Sequence, residues 1–244
     1  MRRYRADLHV HTCLSPCGDL LMSPQKIVAQ VLHRNIEIIA ICDHNSAENV
    51  PAVTAAAGGA VVVLPGLEIC TKEEIHVLGV FQDIEAAFHM QSLVFDSLPG
   101  KNDPDAFGVQ VVANERDEVV ALEDHLLIGA ADVPAEEIVN EIHRLGGIAI
   151  ASHIDRESYS VIGQLGFIPE SLRFDALELS HHIENQEARR RFPGLPDLPF
   201  VRSSDAHFLG DLGTNTSEYL LERPTFPEIR KALRGEDGRR VCEN

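Results

Sequence analysis

The sequence predicts an α/β protein built on a mainly parallel sheet covered on both faces, as a barrel or as a doubly wound sheet. Short β-branched runs alternate with stretches of helical period, and those runs are apolar nearly throughout, as strands buried on both faces are. Proline and glycine punctuate the element ends. At 244 residues the chain fits one barrel domain, and we read residues 1–244 as a single unit.

Tyr4 to His11 reads as the first strand. Ser23 and Pro24 open a helix that runs to Arg34, because a proline at the first helical position forfeits no hydrogen bond. Ile36 to Cys42, Ala60 to Leu64 and Ile75 to Phe81 are further strands. Gly66 is read as a sharp exit from the third strand that presents Glu68 at the sheet's edge. From about Asp83 to Asp132 the rhythm breaks, with the turn-rich Pro99 to Asp105 and the acidic Asn114 to Glu118. That segment reads as an insertion over one end of the sheet, as a lid or as a surface excursion. A helix at Ala135 to Leu145 follows, then strands at Gly147 to Ser152, Ala176 to Ser180 and Phe200 to Ser203. Thr225 to Arg234 is the closing helix, set between Pro224 and Gly235.

Composition excludes several classes. With 44% hydrophobic and 24% charged residues the chain is neither disordered nor fibrous. A formal charge of −17 argues against general nucleic-acid binding, since affinity for a phosphate backbone comes mainly from Lys and Arg. Five cysteines, an odd number, suit a reducing compartment better than a disulfide scaffold. No signal peptide and no apolar run of the roughly 18 residues that a membrane helix needs are visible. A soluble, cytoplasmic protein with no membrane partner is expected.

Of twelve histidines, half fall into short groups that also hold carboxylates. The groups are Asp7-Leu8-His9-Val10-His11-Thr12, Cys42-Asp43-His44-Asn45, Glu68 with His76, Ser152-His153-Ile154-Asp155, and Ser204-Asp205-Ala206-His207. Nearly all follow a strand run, and residues at i and i+2 on a strand share a face, so His9 and His11 can hold one ion together. Ligands gathered where strands end look like a multi-metal active site. His33, His89, His143 and His181 are read as ordinary histidines, and His125 and His182 are assigned no role. Asp43 and Asp155 either orient a neighbouring imidazole or cap a turn. Arg156 and Arg202 flank these motifs as candidate clamps for a substrate phosphate, with an ordinary ion-paired arginine as the alternative.

The order H-x-H-T, D-H, G-x-E, H-x-x-G, S-H, S-D-x-H resembles the PHP family, named for polymerase and histidinol phosphatase, across essentially the whole chain. The resemblance implies a distorted seven-stranded (β/α)7 TIM-like barrel with two or three divalent ions (Mn, Zn or Fe) at the C-terminal strand ends. It implies that His9, His11, Glu68 and Asp205 surround one ion, and that Glu68, His76 and His153 hold a second. His44 and His207 would hold a third with a carboxylate from the loop after His11. The family's loop reads T-x-x-S-D-G, whereas this chain has Thr12-Cys13-Leu14-Ser15-Pro16-Cys17-Gly18-Asp19. Asp19 is the candidate ligand there, and the Cys17 thiolate is the substitute.

His9, Glu68, Asp205 and His207 are the implied catalytic residues. The implied reaction is phosphoester hydrolysis by attack of a metal-bound hydroxide on phosphorus. Because the chain shows no basic patch, a small phosphomonoester or nucleotide is the expected substrate. Two rivals remain: an amidohydrolase-type enzyme, which also uses H-x-H on a barrel, and a PHP domain that binds metal without catalysis.

Overall fold

Seven strands form the barrel wall, and one of them runs against the others. The computed structural model describes residues 1–242. Its strands are β1 (Arg2–Val10), β2 (Ile38–Ile41), β3 (Val62–Cys70), β4 (His76–Val80), β5 (Val111–Ala113), β6 (Val119–Leu122), β7 (Ile148–Ala151), β8 (Ala176–Leu179), β9 (Phe200–Arg202), β10 (Ser217–Leu221) and β11 (Arg240–Cys242). The helices are α1 (Pro24–His33), α2 (Val50–Ala57), α3 (Ile84–Ser97), α4 (Pro104–Phe107), α5 (Ala135–Arg144), α6 (Val161–Leu165), α7 (Asn185–Arg191) and α8 (Phe226–Arg234).

The main sheet has nine strands in the order β11-β10-β1-β2-β3-β4-β7-β8-β9. β1, β2 and β3 are parallel, as are β7, β8 and β9, and β4 lies antiparallel to both neighbours. Beyond β9 the chain returns to β1, where Val10 pairs with Ala206 and the His11 amide donates to the Ala206 carbonyl at 3.1 Å. The ring is therefore nearly closed at the C-terminal end of the parallel strands, which is the distorted seven-stranded barrel expected. β10 and β11 extend the free edge of β1 in antiparallel fashion.

The reversal of β4 follows from loop length. Cys70 pairs with His76, and the five or so residues between cannot make a parallel crossover, which takes about a dozen. The resulting hairpin brings the start of β4, and with it His76, to the end where the parallel strands finish. β3 also differs from expectation, because it continues through Pro65 and Gly66 to Cys70. A Cβ on Gly66 would stand 2.7 Å from Cys42 Sγ and 3.0 Å from the Gly79 oxygen, so glycine admits the neighbouring strands rather than ending this one. Glu68 consequently lies inside the sheet, 1% exposed, instead of at its edge.

A second irregularity aims the first motif. Tyr4, Ala6 and Leu8 pack with Ile38, Ala40, Leu78 and Ile150 inside the barrel, but Val10 joins the outer layer with the helices. Strict alternation would have put Val10 beside Leu8. The β1–β2 register shifts between Asp7 and Val10, and that bulge turns His9 and His11 towards the interior above Leu8. Outside, Ile27 and Val31 of α1, Val53 of α2, Met90 and Val94 of α3, and Ile138 and Ile142 of α5 cover the wall. Both faces of the sheet are buried, as the unbroken apolar runs predict.

The segment 83–132 contains more order than its sequence suggests. Asp83 caps α3 by accepting from the Ala86 amide, and Ala87, Met90 and Val94 bury against the barrel. β5 and β6 form a separate hairpin. Buried Asn49 ties that hairpin down, donating to Thr12 Oγ1 (2.8 Å) and the Val111 oxygen (3.0 Å) and accepting from the Ala113 amide (2.9 Å). Among the described residues, no helix is long and apolar enough to cross a membrane. Asn49→Ala should lower unfolding stability by about 1–3 kcal/mol, by leaving buried backbone groups unpaired. A lower urea midpoint at unchanged slope is the expected result; an unchanged midpoint would show that the hairpin is held by other contacts.

Candidate metal centre

Glu68 is where the motifs converge. Its Oε1 lies 3.0 Å from His76 Nδ1, 3.3 Å from His153 Nε2 and 3.4 Å from His9 Nε2. Its Oε2 lies 3.1 Å from His44 Nδ1 and 3.5 Å from His11 Nε2. Asp205 Oδ1 stands 3.2 Å from His11 Nε2 and 3.3 Å from His9 Nε2. His207 stacks on His11 with ring centres 4.0 Å apart. His153 (φ 28°) and Asp205 (φ 50°) sit in the left-handed region, in the loops that follow β7 and β9. Such backbone costs on the order of 1–3 kcal/mol and collects at functional sites.

Two histidines are held in defined tautomers. His9 Nδ1 faces the buried Glu178 carboxylate at 3.1 and 3.2 Å. Ser15 Oγ donates to Asp43 Oδ1 at 2.7 Å and accepts from the His44 amide at 3.1 Å, so His11 Nδ1, 2.8 Å away, is its second donor. Both rings therefore carry their proton on Nδ1 and turn Nε2 inward, where the two nitrogens face each other at 3.1 Å. Such a pair repels unless a cation or added protons lie between. Glu68 Oε1, His76 Nδ1 and His153 Nδ1 are likewise buried without hydrogen-bond partners. Unpaired buried polar atoms are costly, and imidazole nitrogens with carboxylate oxygens are the donor set that divalent ions take.

Three groups have ligand atoms within 4.8 Å of one another: His9, His11, Glu68 and Asp205; His44, Glu68 and His76; and His11, His44 and His207. The first brings together the four residues that the resemblance assigns to one ion. In the second, His44 stands where His153 was expected, although His153 still faces Glu68. These residues fit divalent ions.

The buried acids and imidazoles shift one another's ionisation. Burial opposes the charge on Glu68, but His76 and His9 outweigh it and hold the carboxyl well below its usual range. Burial also opposes charge on His9, yet Glu68, Glu178 and Asp205 together lift it well above the ordinary value. His11 and His44 rise against their burial to about 8 and about 9, through hydrogen bonds donated to Asp205 and Glu68 for the first and through contact with Cys17 and Glu68 for the second. His76 and His207 fall to about 4 and about 3, mainly through burial.

The remaining expected residues divide. Asp19 stands outside the three groups; its Oδ1 accepts from the Leu21 amide at 2.8 Å and caps its own turn. Cys17 lines the pocket with His44 but, like Asp19, stands outside the three groups. Arg156 reaches the site, with Nη1 2.6 Å from Asp205 Oδ2. Arg202 does not: its guanidinium binds the Ser180 and Ile183 oxygens and Asn185 Oδ1 at 2.7–3.0 Å, bracing the loop after β8. Asp155 takes the turn role, accepting from Ser180 N and Oγ. Asp43 orients His11 through Ser15 rather than its neighbour His44. His125 pairs with Glu123 and stacks on Phe95, away from the cluster.

Above the cluster opens a pocket of about 510 Å³. Its wall includes His182, Arg191 at the end of α7, Ile128 from the segment 83–132, and Tyr159, whose ring stacks on His76 at 4.6 Å. Glu178, Ser15, Tyr159 and Arg191 were not foreseen. Only Glu178 left a signal, as a lone acid inside the apolar Ala176-Leu177-Glu178-Leu179.

No family model matches the chain. It is 24% identical over 261 residues to the uncharacterized protein YqxK of Bacillus subtilis, covering all of this chain and 65% of that protein. It is 34% identical over 84 residues to the 5'-3' exoribonuclease Rnm of Salmonella typhimurium, covering 32% of this chain and 28% of Rnm. Among solved structures, Endonuclease Q in complex with a 27-mer duplex superposes with a TM-score of 0.73 at 18% identity, over 98% of this chain and 58% of that one. A two-domain protein of Bacteroides vulgatus, containing a predicted PHP-like metal-dependent phosphoesterase, gives 0.55 at 14% identity, over 98% and 64%. The fold is that of the PHP-like phosphoesterases. An amidohydrolase of Chromobacterium violaceum gives 0.55 at 19% identity, over 86% and 90%. The chain thus spans less than two thirds of YqxK, of Rnm and of Endonuclease Q.

One expectation is overturned. A small substrate and no general nucleic-acid binding were expected from the missing basic patch and the charge of −17, but Endonuclease Q, on which this chain superposes, takes a duplex substrate with an abasic lesion at its active site. Net charge averages over the whole surface and says little about one pocket mouth.

Glu178→Ala should weaken divalent-ion affinity about 10–100-fold by freeing the His9 ring. Competition against a chromophoric chelator measures it, and wild-type affinity would remove Glu178 from that role. Because His9, His11 and His44 have raised pKa values, ions must displace their protons. Adding Mn²⁺ or Zn²⁺ to the metal-free chain in weak buffer near pH 7 should therefore release protons, and affinity should fall as pH falls. Titration without acidification would contradict this.

Proposed function

We propose that the chain is a metal-dependent phosphoesterase that cleaves phosphoester bonds of a nucleic acid, with residues 1–244 acting as one catalytic domain. The observation that carries this reading is the cluster of six histidines around Glu68 and Asp205 on the floor of a pocket with arginine at its rim. His9, Glu68, Asp205 and His207 are the proposed catalytic residues, and they act as ligands together with His11, His44, His76 and His153.

Divalent ions held there would lower the pKa of water towards neutrality and stabilise charge on phosphoryl oxygens. The chain's own groups do the rest. Glu178 and the Ser15–Asp43 pair fix the inward direction of His9 and His11 Nε2, so the ligand geometry is set before substrate arrives. Arg156, with one nitrogen on Asp205 and its side chain 44% exposed, keeps donors free to grip a phosphoryl oxygen at the rim. Tyr159 offers an aromatic surface on which a base can stack, and Arg191 offers positive charge at the pocket mouth. The likeness to a DNA-binding endonuclease and the local identity to an exoribonuclease support a polynucleotide substrate.

With Mn²⁺ added, the purified chain should cleave oligonucleotides, and His9→Ala should abolish turnover. Cleavage of amides or lactones without phosphoester hydrolysis would favour the amidohydrolase reading. Tight metal binding without turnover on any of these would favour a non-catalytic domain. Arg156→Ala should raise KM at least tenfold, about 1.4 kcal/mol or more for a lost charge-assisted contact, and an unchanged KM would take Arg156 out of substrate binding.

A further inference from the structure

We propose a second anion site, for a phosphoryl group, at the opposite end of the barrel from the metal cluster. A separate cavity of about 310 Å³ lies there, lined by His143 and Gly146 from the α5–β7 turn, Arg173 and Asp175 before β8, and Arg230 and Arg234 of α8. His143 and Gly146 precede β7, and Arg173 and Asp175 precede β8, whereas His153 and Ser180 follow those strands, so the cavity and the histidine cluster occupy opposite ends of the same two strands.

The cavity is cationic in an otherwise acidic protein. Among the described residues, Arg173 and Arg230 have no carboxylate within 4.0 Å, and Arg234 has only Glu236, at 3.9 Å. The one acid in the wall is already engaged: Asp175 Oδ2 accepts from His143 Nε2 and from the Ala149 amide, each at 2.9 Å. Arg230 donates to the Gly146 carbonyl and lies over the Phe226 ring, which fixes its guanidinium, while its Nε is buried with no hydrogen-bond partner. Three guanidinium groups facing one hollow repel each other, and in a chain of net charge −17 nothing in the general composition requires them to cluster. A tetrahedral, multiply charged oxyanion satisfies them, because each planar fork can give two parallel hydrogen bonds to its oxygens. Sequence alone offers no hint, since Arg230 and Arg234 share one turn of α8 but Arg173 and His143 come from segments far away in the chain.

Free phosphate and the phosphate of a small metabolite present the same chemistry, so both are used as probes. Calorimetry on the metal-loaded chain with inorganic phosphate, and separately with a nucleoside monophosphate, should find one equivalent of sites that Arg173→Gln/Arg230→Gln removes or weakens about a hundredfold, as two lost charge-assisted contacts imply. Arg234→Gln, on an exposed side chain, should weaken the same equivalent with no effect on folding. Phosphate binding lost in Arg156→Ala but kept in the double variant would overturn the proposal, as would the absence of any equivalent sensitive to Arg173 and Arg230. Oligonucleotide cleavage by the double variant at the wild-type rate separates this site from the metal cluster; if no variant cleaves, circular dichroism confirms the fold and the calorimetry still decides.

Discussion

The structure depends on burying one carboxylate, Glu68, in the middle of a sheet and surrounding it with imidazoles. An ionised carboxylate removed from water costs several kcal/mol or more unless it is paired, so Glu68 can remain charged only because five histidine nitrogens lie within 3.5 Å of its oxygens. Those histidines come from the ends of β1, β2, β4 and β7, and no local segment could assemble them. The barrel therefore acts as a frame that holds otherwise unfavourable charges at fixed spacing. Its apolar filling below the cluster keeps water from relaxing that arrangement.

Two departures from a regular βα repeat deliver the residues. The bulge in β1 moves His9 and His11 to the inner face after Tyr4, Ala6 and Leu8 have already used it for packing. The β3–β4 hairpin places His76 next to Glu68, where a parallel connection would have sent the chain to the far end first. Both are deviations of one or a few residues, and both act on the histidine–carboxylate cluster rather than on the core.

Much of this was legible in the sequence where the signal is local. Strands read from unbroken apolar runs fall within a few residues of the observed ones except β3, which runs on to Cys70, and the i, i+2 spacing of His9 and His11 does bring their side chains together. What was illegible depends on partners distant in the chain. Nothing near Ser15 announces that it will sit between Asp43 and His11, and the direction of Arg202 is decided by carbonyls of a loop some twenty residues away. Gly66 shows a subtler failure, because glycine marks both a strand's end and a close approach between strands, and only the neighbours Cys42 and Gly79 tell which. The charge argument failed for a related reason: a sum over 244 residues carries no positional information.

The ion pair between Arg156 and Asp205 has a consequence for how that aspartate can bind. With Oδ2 occupied by the guanidinium, Asp205 offers the cluster a single oxygen, Oδ1, directed at His9 and His11. The number of oxygens it turns inward is thus set from outside the cluster, by a side chain at the pocket rim. An anion that drew Arg156 away would uncover that second oxygen, so what Asp205 could offer to a divalent ion would depend on whether the rim is filled.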